Sequence, residues 1–258
     1  MRITALLENT TLRDDMKTEH GLSLFIETEM HKILFDMGQT EAFSENAETL
    51  GIDLSQVDMA VLSHGHYDHG GGLETFLQIN DHAPIYVNPR VFLPYYNASG
   101  RYIGLDPSLT SEKRIVYTEN IHRISPSLCL YSCNEKERKH HFGHFGLSEM
   151  KNGHLSPDDF RHEQYLLIEE EGKRILISGC SHKGILDIAE WFRPDVLIGG
   201  FHLSKMPIGR ELRDIANTLA AYPTEFYTCH CTGEAQLEFM RQYMPNVHAL
   251  SCGQHIIL

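Results

Sequence analysis

The sequence has no apolar run that approaches the roughly 20 residues needed to cross a bilayer. An acidic residue, Glu8, comes before any apolar signal-peptide core could form. Cysteine is also scarce: there are six in 258 residues, with no paired C-x-x-C motif. This excludes a disulfide-dense secreted scaffold. We therefore expect a cytoplasmic protein with reduced thiols and no membrane partner.

Positive charge is in short supply. Lys and Arg total 22 against 35 Asp and Glu, for a formal net charge of −13, and the single basic cluster, 136–139, is short and interrupted. Because nucleic-acid affinity depends on clustered Lys and Arg, we expect a small-molecule substrate and no nucleic acid. No linker rich in Gly, Ser or Pro divides the chain, which predicts one domain over 1–258.

Strand-like and helix-like segments alternate along the chain, which predicts an α/β protein whose strands are covered by helices. The predicted strands are 2–7, 22–27, 32–35, 59–62, 165–169, 174–177, 196–198, 226–229, 247–250 and 255–258. The predicted helices are 40–50, 72–79, 183–192, 211–221 and 234–244. Between about 88 and 160 the pattern weakens, which indicates an excursion from the core or a lid.

Histidine is abundant, with 17 residues, and four potential metal ligands fall within six positions of one another. His64, His66, Asp68 and His69 follow the predicted strand 59–62 and precede three consecutive glycines. In an extended segment, side chains two residues apart point the same way, while a turn brings Asp68 and His69 round. Two ligands for each of two metal ions are the natural outcome, against the alternative of a histidine-rich surface loop.

The run His64, His66, Asp68 and His69 matches without a gap the His-x-His-x-Asp-His motif of the metallo-β-lactamase superfamily, which the sequence resembles over most of its length. The resemblance implies an αββα sandwich, with two mixed β-sheets packed face to face and helices on both outer faces. It also implies two divalent metal ions, Zn or alternatively Mn or Fe, that activate water. Asp68 would then be both a ligand and the catalytic residue, and Asp36 a supporting residue rather than a ligand.

The resemblance places further ligands at later strand ends. Cys180, in Ser178-Gly-Cys-Ser-His182, would lie on or between the metals, although a lone cysteine there could equally be a buried apolar residue. His230 would complete the second metal, against the alternative of a packed histidine. Its neighbours Cys229 and Cys231 point away from it if that segment is extended.

The third imidazole of the first metal is the least defined ligand. We choose His162, with Glu163 and His154 as alternatives. His182 and His202 follow strands on the same predicted rim, where they could bind substrate or be structural.

Other polar residues have less defined roles. Glu8, Asn9 and His20 are further rim candidates. His140, His141 and His144 form either a third metal site or a solvated surface.

A finer resemblance is to a subgroup similar to dihydropterin ribofuranosylaminobenzene 5'-phosphate synthase and to related metal-dependent hydrolases. It is carried by the segments 6–10, 19–23, 63–69, 178–182 and 199–203. The leading hypothesis is hydrolysis of a small ester, phosphoester or amide. The alternatives are a transferase joining a pterin to a ribosylated aminobenzene phosphate, and a metal-dependent redox or sensing protein suggested by Cys180, Cys229 and Cys231.

Overall fold

Two seven-stranded β-sheets form the centre of the structure, a computed structural model that describes residues 1–258. The first sheet has the order β17-β1-β2-β3-β4-β5-β7. Its strands are β1 (Arg2–Leu7), β2 (Ser23–Glu27), β3 (Lys32–Phe35), β4 (Met59–Val61), β5 (Ile85–Val87), β7 (Ile115–Tyr117) and β17 (His255–Ile257). From β3 to β7 neighbouring strands are parallel, whereas β17, β1, β2 and β3 pair antiparallel.

The second sheet has the order β16-β15-β14-β13-β12-β9-β8. Its strands are β8 (Ile121–Arg123), β9 (Leu128–Tyr131), β12 (Tyr165–Glu170), β13 (Lys173–Ile177), β14 (Val196–Ile198), β15 (Glu225–Thr228) and β16 (Val247–Ala249). The four strands β13 to β16 are parallel. A separate three-stranded sheet consists of β6 (Tyr95–Tyr96), β10 (Ser148–Lys151) and β11 (His154–Pro157).

Six α-helices accompany the sheets. They are α1 (Ala42–Thr49), α2 (Tyr67–Gly70), α3 (Leu73–Ile79), α4 (Ile185–Phe192), α5 (Arg210–Ala220) and α6 (Glu234–Met240). No helix combines the length and the apolar character that crossing a membrane would require.

Alternation along the strands produces the layers. On β2, Leu24 and Ile26 face the second sheet in a shared core, while Phe25 packs on the opposite side in a cluster with residues of α1 and α3. On β12, Leu166 belongs to the shared core and Leu167 to a cluster with α4, α5 and α6. Because successive strand residues point to opposite faces, each sheet has one face on its partner and one on helices. The αββα sandwich implied by the resemblance is confirmed.

The segment 88–160 is only partly the excursion that the sequence indicated. Three strands in it, β7, β8 and β9, join the edges of the two large sheets, and Leu128 and Leu130 lie in the shared core. The remainder holds the three-stranded sheet, which has its own small apolar cluster of Tyr95, Ile103, Leu147 and Phe160. Treating the whole range as outside the sandwich was therefore wrong.

Candidate metal centre

The candidate residues converge where parallel strands of both sheets end. Asp36 follows β3 and the segment 63–69 follows β4, both in the first sheet. In the second sheet, 178–183 follows β13, 199–202 follows β14, and 229–232 follows β15. Since the carboxyl ends of parallel strands share one edge of a sheet, the sandwich brings the loops of both sheets together there.

Three buried imidazoles form a first group. The Nε2 atoms of His64 and His182 lie 3.3 Å apart, and a ligand atom of His66 lies within 4.8 Å of both rings' ligand atoms. The Nε2 atom of His66 is buried without a hydrogen-bond partner. A buried polar atom without a partner is costly, so this nitrogen fits a site where a cation would accept its lone pair.

A second group surrounds His69. Its Nε2 atom lies 3.1 Å from the Sγ of Cys180 and 3.2 Å from the Nε2 of His230. The Oδ2 atom of Asp68 lies 3.4 Å from the Nε2 of His230 and 3.9 Å from that of His69. Cys180 also falls within 4.8 Å of His64 and His69, so its thiol lies between the two groups.

Hydrogen bonds from outside the groups orient the rings. The buried carboxylate of Asp36 accepts hydrogen bonds from the Ser63 hydroxyl at 2.6 Å and from Nδ1 of His69 at 2.6 Å. Because the Ser63 proton goes to Asp36, its oxygen accepts from Nδ1 of His64 at 2.8 Å. Each ring thus directs Nε2 into the site, as is common for histidines that bind metals. Asp36 has the supporting position that the resemblance implied.

The rim residues Asn9 and His20 contact the second group. Nδ1 of His230 donates to Oδ1 of Asn9 at 2.9 Å. The side chain of His20 is half exposed, and its Nε2 lies 3.3 Å from Oδ2 of Asp68. Glu8 is buried and accepts the backbone N–H of His230 at 3.1 Å. These three residues therefore hold His230 and Asp68 in place from the rim.

The choice of His162 as the third imidazole is corrected, because the structure groups His182 with His64 and His66. Both ring nitrogens of His162 are engaged, with Nδ1 accepting the backbone N–H of Gly65 at 2.9 Å and Nε2 donating to Asp158 at 3.0 Å. The alternatives also fail, since the Glu163 carboxylate accepts the backbone N–H of His182 at 2.7 Å and His154 is exposed. The available signal was the spacing of His182, two residues after Cys180.

A second correction concerns Cys231. The segment after β15 is not extended, because a 3-10 turn begins at His230, whose φ is 51°. This turn brings the ligand atoms of Cys231, His230 and Cys180 within 4.8 Å of one another. Cys231 thus lies at the site instead of pointing away from it, and the redox hypothesis that names it stays a prediction.

An open cavity of about 190 Å³ lies over both groups. His202 borders it, with a buried Nδ1 atom that has no hydrogen-bond partner. Its other walls include Tyr67, Asn97, Ile103, Leu147, Ser204 and Lys205. A larger cavity of about 400 Å³ shares His20, Ser204, His230 and Cys231 with it. By contrast, His141 and His144 lie exposed on the segment between β9 and β10.

Burial and charge set the protonation of the site. Burial, followed by repulsion from neighbouring imidazoles, holds the pKa values of His64 and His182 well below the ordinary range. Burial would lower the pKa of His69 too, but the carboxylates of Asp36 and Asp68 outweigh it and raise that pKa to about 9. Burial raises the pKa of the Cys180 thiol. Imidazole, carboxylate and thiol groups are donors that suit a borderline divalent cation such as Zn²⁺ once the His69 ring and the thiol have lost a proton.

Four site residues have left-handed backbone without being glycine. Asp36, Ser181, His202 and His230 have φ values of 58°, 57°, 54° and 51°. Each lies in a loop after a strand rather than in a strand or an α-helix. Such conformations cost of the order of 1–3 kcal/mol each and cluster at functional sites.

Comparison with known proteins identifies the family and the fold. The family model of the metallo-beta-lactamase superfamily matches residues 17–227. The chain is 30% identical to the 7,8-dihydropterin-6-methyl-4-(beta-D-ribofuranosyl)-aminobenzene-5'-phosphate synthase of Methanocaldococcus jannaschii, over 93% of this chain and 90% of that protein. A crystal structure of a metal-dependent hydrolase of the beta-lactamase superfamily superimposes with a TM-score of 0.86 at 27% identity, covering 100% and 99% of the two chains. Zn²⁺-bound PqqB from Methylobacterium extorquens superimposes with a TM-score of 0.60 at 11% identity, which shows the fold alone.

Proposed function

Because this chain belongs to the metallo-β-lactamase superfamily, we propose that it is a metal-dependent hydrolase of a small ester, phosphoester or amide. The observation that carries the proposal is the pair of donor groups, one on each side of Cys180, beneath a single open cavity. Donors in such an arrangement can hold two cations within reach of one substrate.

In this proposal His64, His66 and His182 hold one cation. Asp68, His69 and His230 would hold the other, and Cys180, whose thiol lies between the two groups, would be a further donor. Imidazole and thiolate donors favour Zn, with Mn or Fe as alternatives. When bound, such cations supply Lewis acidity and lower the pKa of a coordinated water.

The chain's own residues have separate tasks. Asp68 is the proposed catalytic residue, because its buried carboxylate borders the cavity and its pKa is held well below the ordinary range: burial opposes this, but His69, His20 and His230 outweigh it. An ionised carboxylate there can accept a hydrogen bond from the attacking water and so orient it. The imidazole of His202, which borders the cavity, is the group that we assign to substrate binding.

The test combines metal analysis with a substrate panel. We expect protein purified with Zn or Mn to hold about two ions and to hydrolyse at least one substrate class. His66→Ala, His182→Ala and His230→Ala should each lose about one ion or more, while His162→Ala should keep the full complement at saturating metal. Inactivity across a broad panel of esters, phosphoesters and amides, with the metals bound, would contradict the hydrolase assignment.

A second candidate function is a synthase that joins a pterin to a ribosylated aminobenzene phosphate. The observation that favours it is the 30% identity with the methanogen synthase over 93% of this chain. Metal-loaded protein would be incubated with those two substrates and the mixture analysed by mass spectrometry. A condensed product would support this activity, and its absence under conditions where the metals are bound would remove it.

A further inference from the structure

We propose that Glu163 is a positioning residue that fixes the loop carrying Cys180 and His182, and that the segment 162–164 sets this loop against the one carrying His64 and His66. The segment lies just before β12 and supplies none of the donors described above. Its geometry stands on its own, while its consequence for metal binding rests on the proposed function.

Glu163 is fully buried. Its carboxylate accepts hydrogen bonds from the loop that carries Cys180 and His182 and from the start of β12. One oxygen accepts the backbone N–H of His182 at 2.7 Å. The other accepts the backbone N–H of Lys183 at 3.1 Å and the hydroxyl of Tyr165 at 2.5 Å. Charge-assisted hydrogen bonds of this kind are roughly twice as strong as neutral ones, so the carboxylate holds the loop firmly.

The loop needs such a hold. Ser181, between Cys180 and His182, has a φ of 57°, a conformation that non-glycine residues rarely adopt unless the surrounding structure imposes it. The ammonium group of Lys183 donates to the backbone carbonyl of Glu163 at 2.8 Å and also to that of Ser132. The side chain of Glu163 therefore binds the backbone of the loop, and the side chain of Lys183 binds the backbone of Glu163 in return.

The two neighbours of Glu163 bind the other loop. His162 accepts the backbone N–H of Gly65, the residue between His64 and His66, at 2.9 Å. Gln164 donates its backbone N–H to the carbonyl of Ser63 at 2.8 Å, and its side-chain amide donates to the carbonyl of Leu62 at 2.8 Å. Three consecutive residues thus contact both loops and connect the loop that carries His64 to the loop that carries His182.

The predicted result is a first group whose imidazoles are arranged before any cation arrives. Glu163→Gln keeps the size of the side chain but leaves only one acceptor oxygen where three donors converge. We expect the amides of His182 and Lys183 to exchange with solvent about tenfold faster or more in the metal-free variant, because a single neutral oxygen replaces their charged acceptor. We also expect Zn²⁺ affinity at the first group to fall about 10–100-fold, as for other residues that orient metal ligands.

The experiment compares wild type, Glu163→Gln and Glu149→Gln, since Glu149 is an equally buried carboxylate that lies on β10. Amide exchange is measured on metal-free protein, and Zn²⁺ affinity by competition with a chelator. Selective weakening of one of two ions, together with faster exchange at 182 and 183, is the expected result in Glu163→Gln alone. Unchanged exchange at those amides, or equal weakening of both ions, would overturn the proposal.

If Glu163→Gln fails to fold, Tyr165→Phe replaces it, because this change removes one of the donors that holds the Glu163 carboxylate and leaves the loop itself intact. A smaller, localised rise in exchange at 182 and 183 supports the proposal, and none overturns it. The exchange readout needs no metal. A wild-type protein that binds no Zn²⁺ would therefore refute the proposed function, while the exchange rates at 182 and 183 would still decide whether Glu163 positions the loop.

Discussion

Asp36 shows how one buried carboxylate orients two imidazoles that belong to different groups. It acts directly on His69 and, through the Ser63 hydroxyl, on His64. The carboxylate has no exposed surface, so it has no water to replace these partners. The loss of either hydrogen bond would leave a ring free to rotate or to carry its proton on the wrong nitrogen.

We therefore expect Asp36→Asn to lower Zn²⁺ affinity about 10–100-fold without unfolding the protein. Asparagine tolerates the left-handed backbone at this position, but its NH₂ group would meet one of the donors that Asp36 now accepts. The measurement is chelator competition, with Asp81→Asn as the control because the Asp81 side chain is fully exposed. Equal affinity in the two variants would show that Asp36 has no orienting role.

The pH dependence of metal uptake should reflect His69. In the metal-free protein its pKa is raised to about 9, so its ring is protonated at neutral pH and must lose a proton before Nε2 can bind a cation. This charged ring stabilises the metal-free fold fully below its ordinary pKa of 6.5, and that contribution is lost as the pH rises through about 9. Zn²⁺ affinity should accordingly increase from pH 7 towards 9.

Calorimetry in buffers of different ionisation enthalpy measures the protons released. The Cys180 thiol also loses a proton on binding, so wild type alone cannot assign the effect to the imidazole. Asp36→Asn separates the two groups, because it removes one of the two negative charges that raise the pKa of His69 and leaves Cys180 unaltered. Its pH profile should move to lower pH. A profile that coincides with that of wild type would argue against His69 as the titrating group.

At the scale of elements, regular patterns were predictable and contacts between distant loops were not. The strand preceding His64 and the helix after it follow from local apolar patterns, and the four potential donors of the motif lie close together in the structure. The third imidazole could not be predicted from the sequence. Only the folded chain shows that both ring nitrogens of His162 are hydrogen-bonded, to Gly65 and to Asp158. Strands β7 and β8 were missed because none of their residues is buried and both lie in the segment 88–160, where the apolar pattern is weak.

The strand-to-loop junction after β13 offers a test at this scale. A Cβ atom added at Gly179 would lie 2.2 Å from the Oγ of Ser63 and 3.2 Å from the Oδ2 of Asp36. We expect Gly179→Ala to push Ser63 away and destabilise the protein by about 1–3 kcal/mol, the usual cost of overpacking. Denaturant unfolding measures this, with Gly209→Ala as the control because nothing lies within 4 Å of its added Cβ. Equal stability of the two variants would contradict the clash.

On the scale of the whole molecule, the candidate donors connect the two sheets. His64, His66, Asp68 and His69 follow a strand of the first sheet, while Cys180, His182 and His230 follow strands of the second. A cation held by both sets would bind the folded state and not the unfolded chain. Binding of that kind stabilises a protein by mass action.

Zn²⁺ should therefore raise the free energy of unfolding, by about 2.7 kcal/mol when free metal is 100 times the dissociation constant. We expect a chelator to lower the melting temperature of wild type, with a single transition if both sheets unfold together. His182→Ala and His230→Ala should show a smaller chelator effect. If the melting temperature of wild type were the same with chelator and with excess Zn²⁺, the hypothesis that side chains from both sheets bind a cation would be wrong.

The left-handed backbone of Asp36, Ser181, His202 and His230 has a consequence for how this protein can be altered. Glycine would relax the backbone at each of these positions, but at Asp36 it would also leave the buried donors of Ser63 and His69 without an acceptor. Glycine at Asp36, His202 or His230 would delete a side chain that orients a candidate donor or borders the cavity. Substitutions that relieve backbone strain at these positions would therefore also remove side chains of the candidate site.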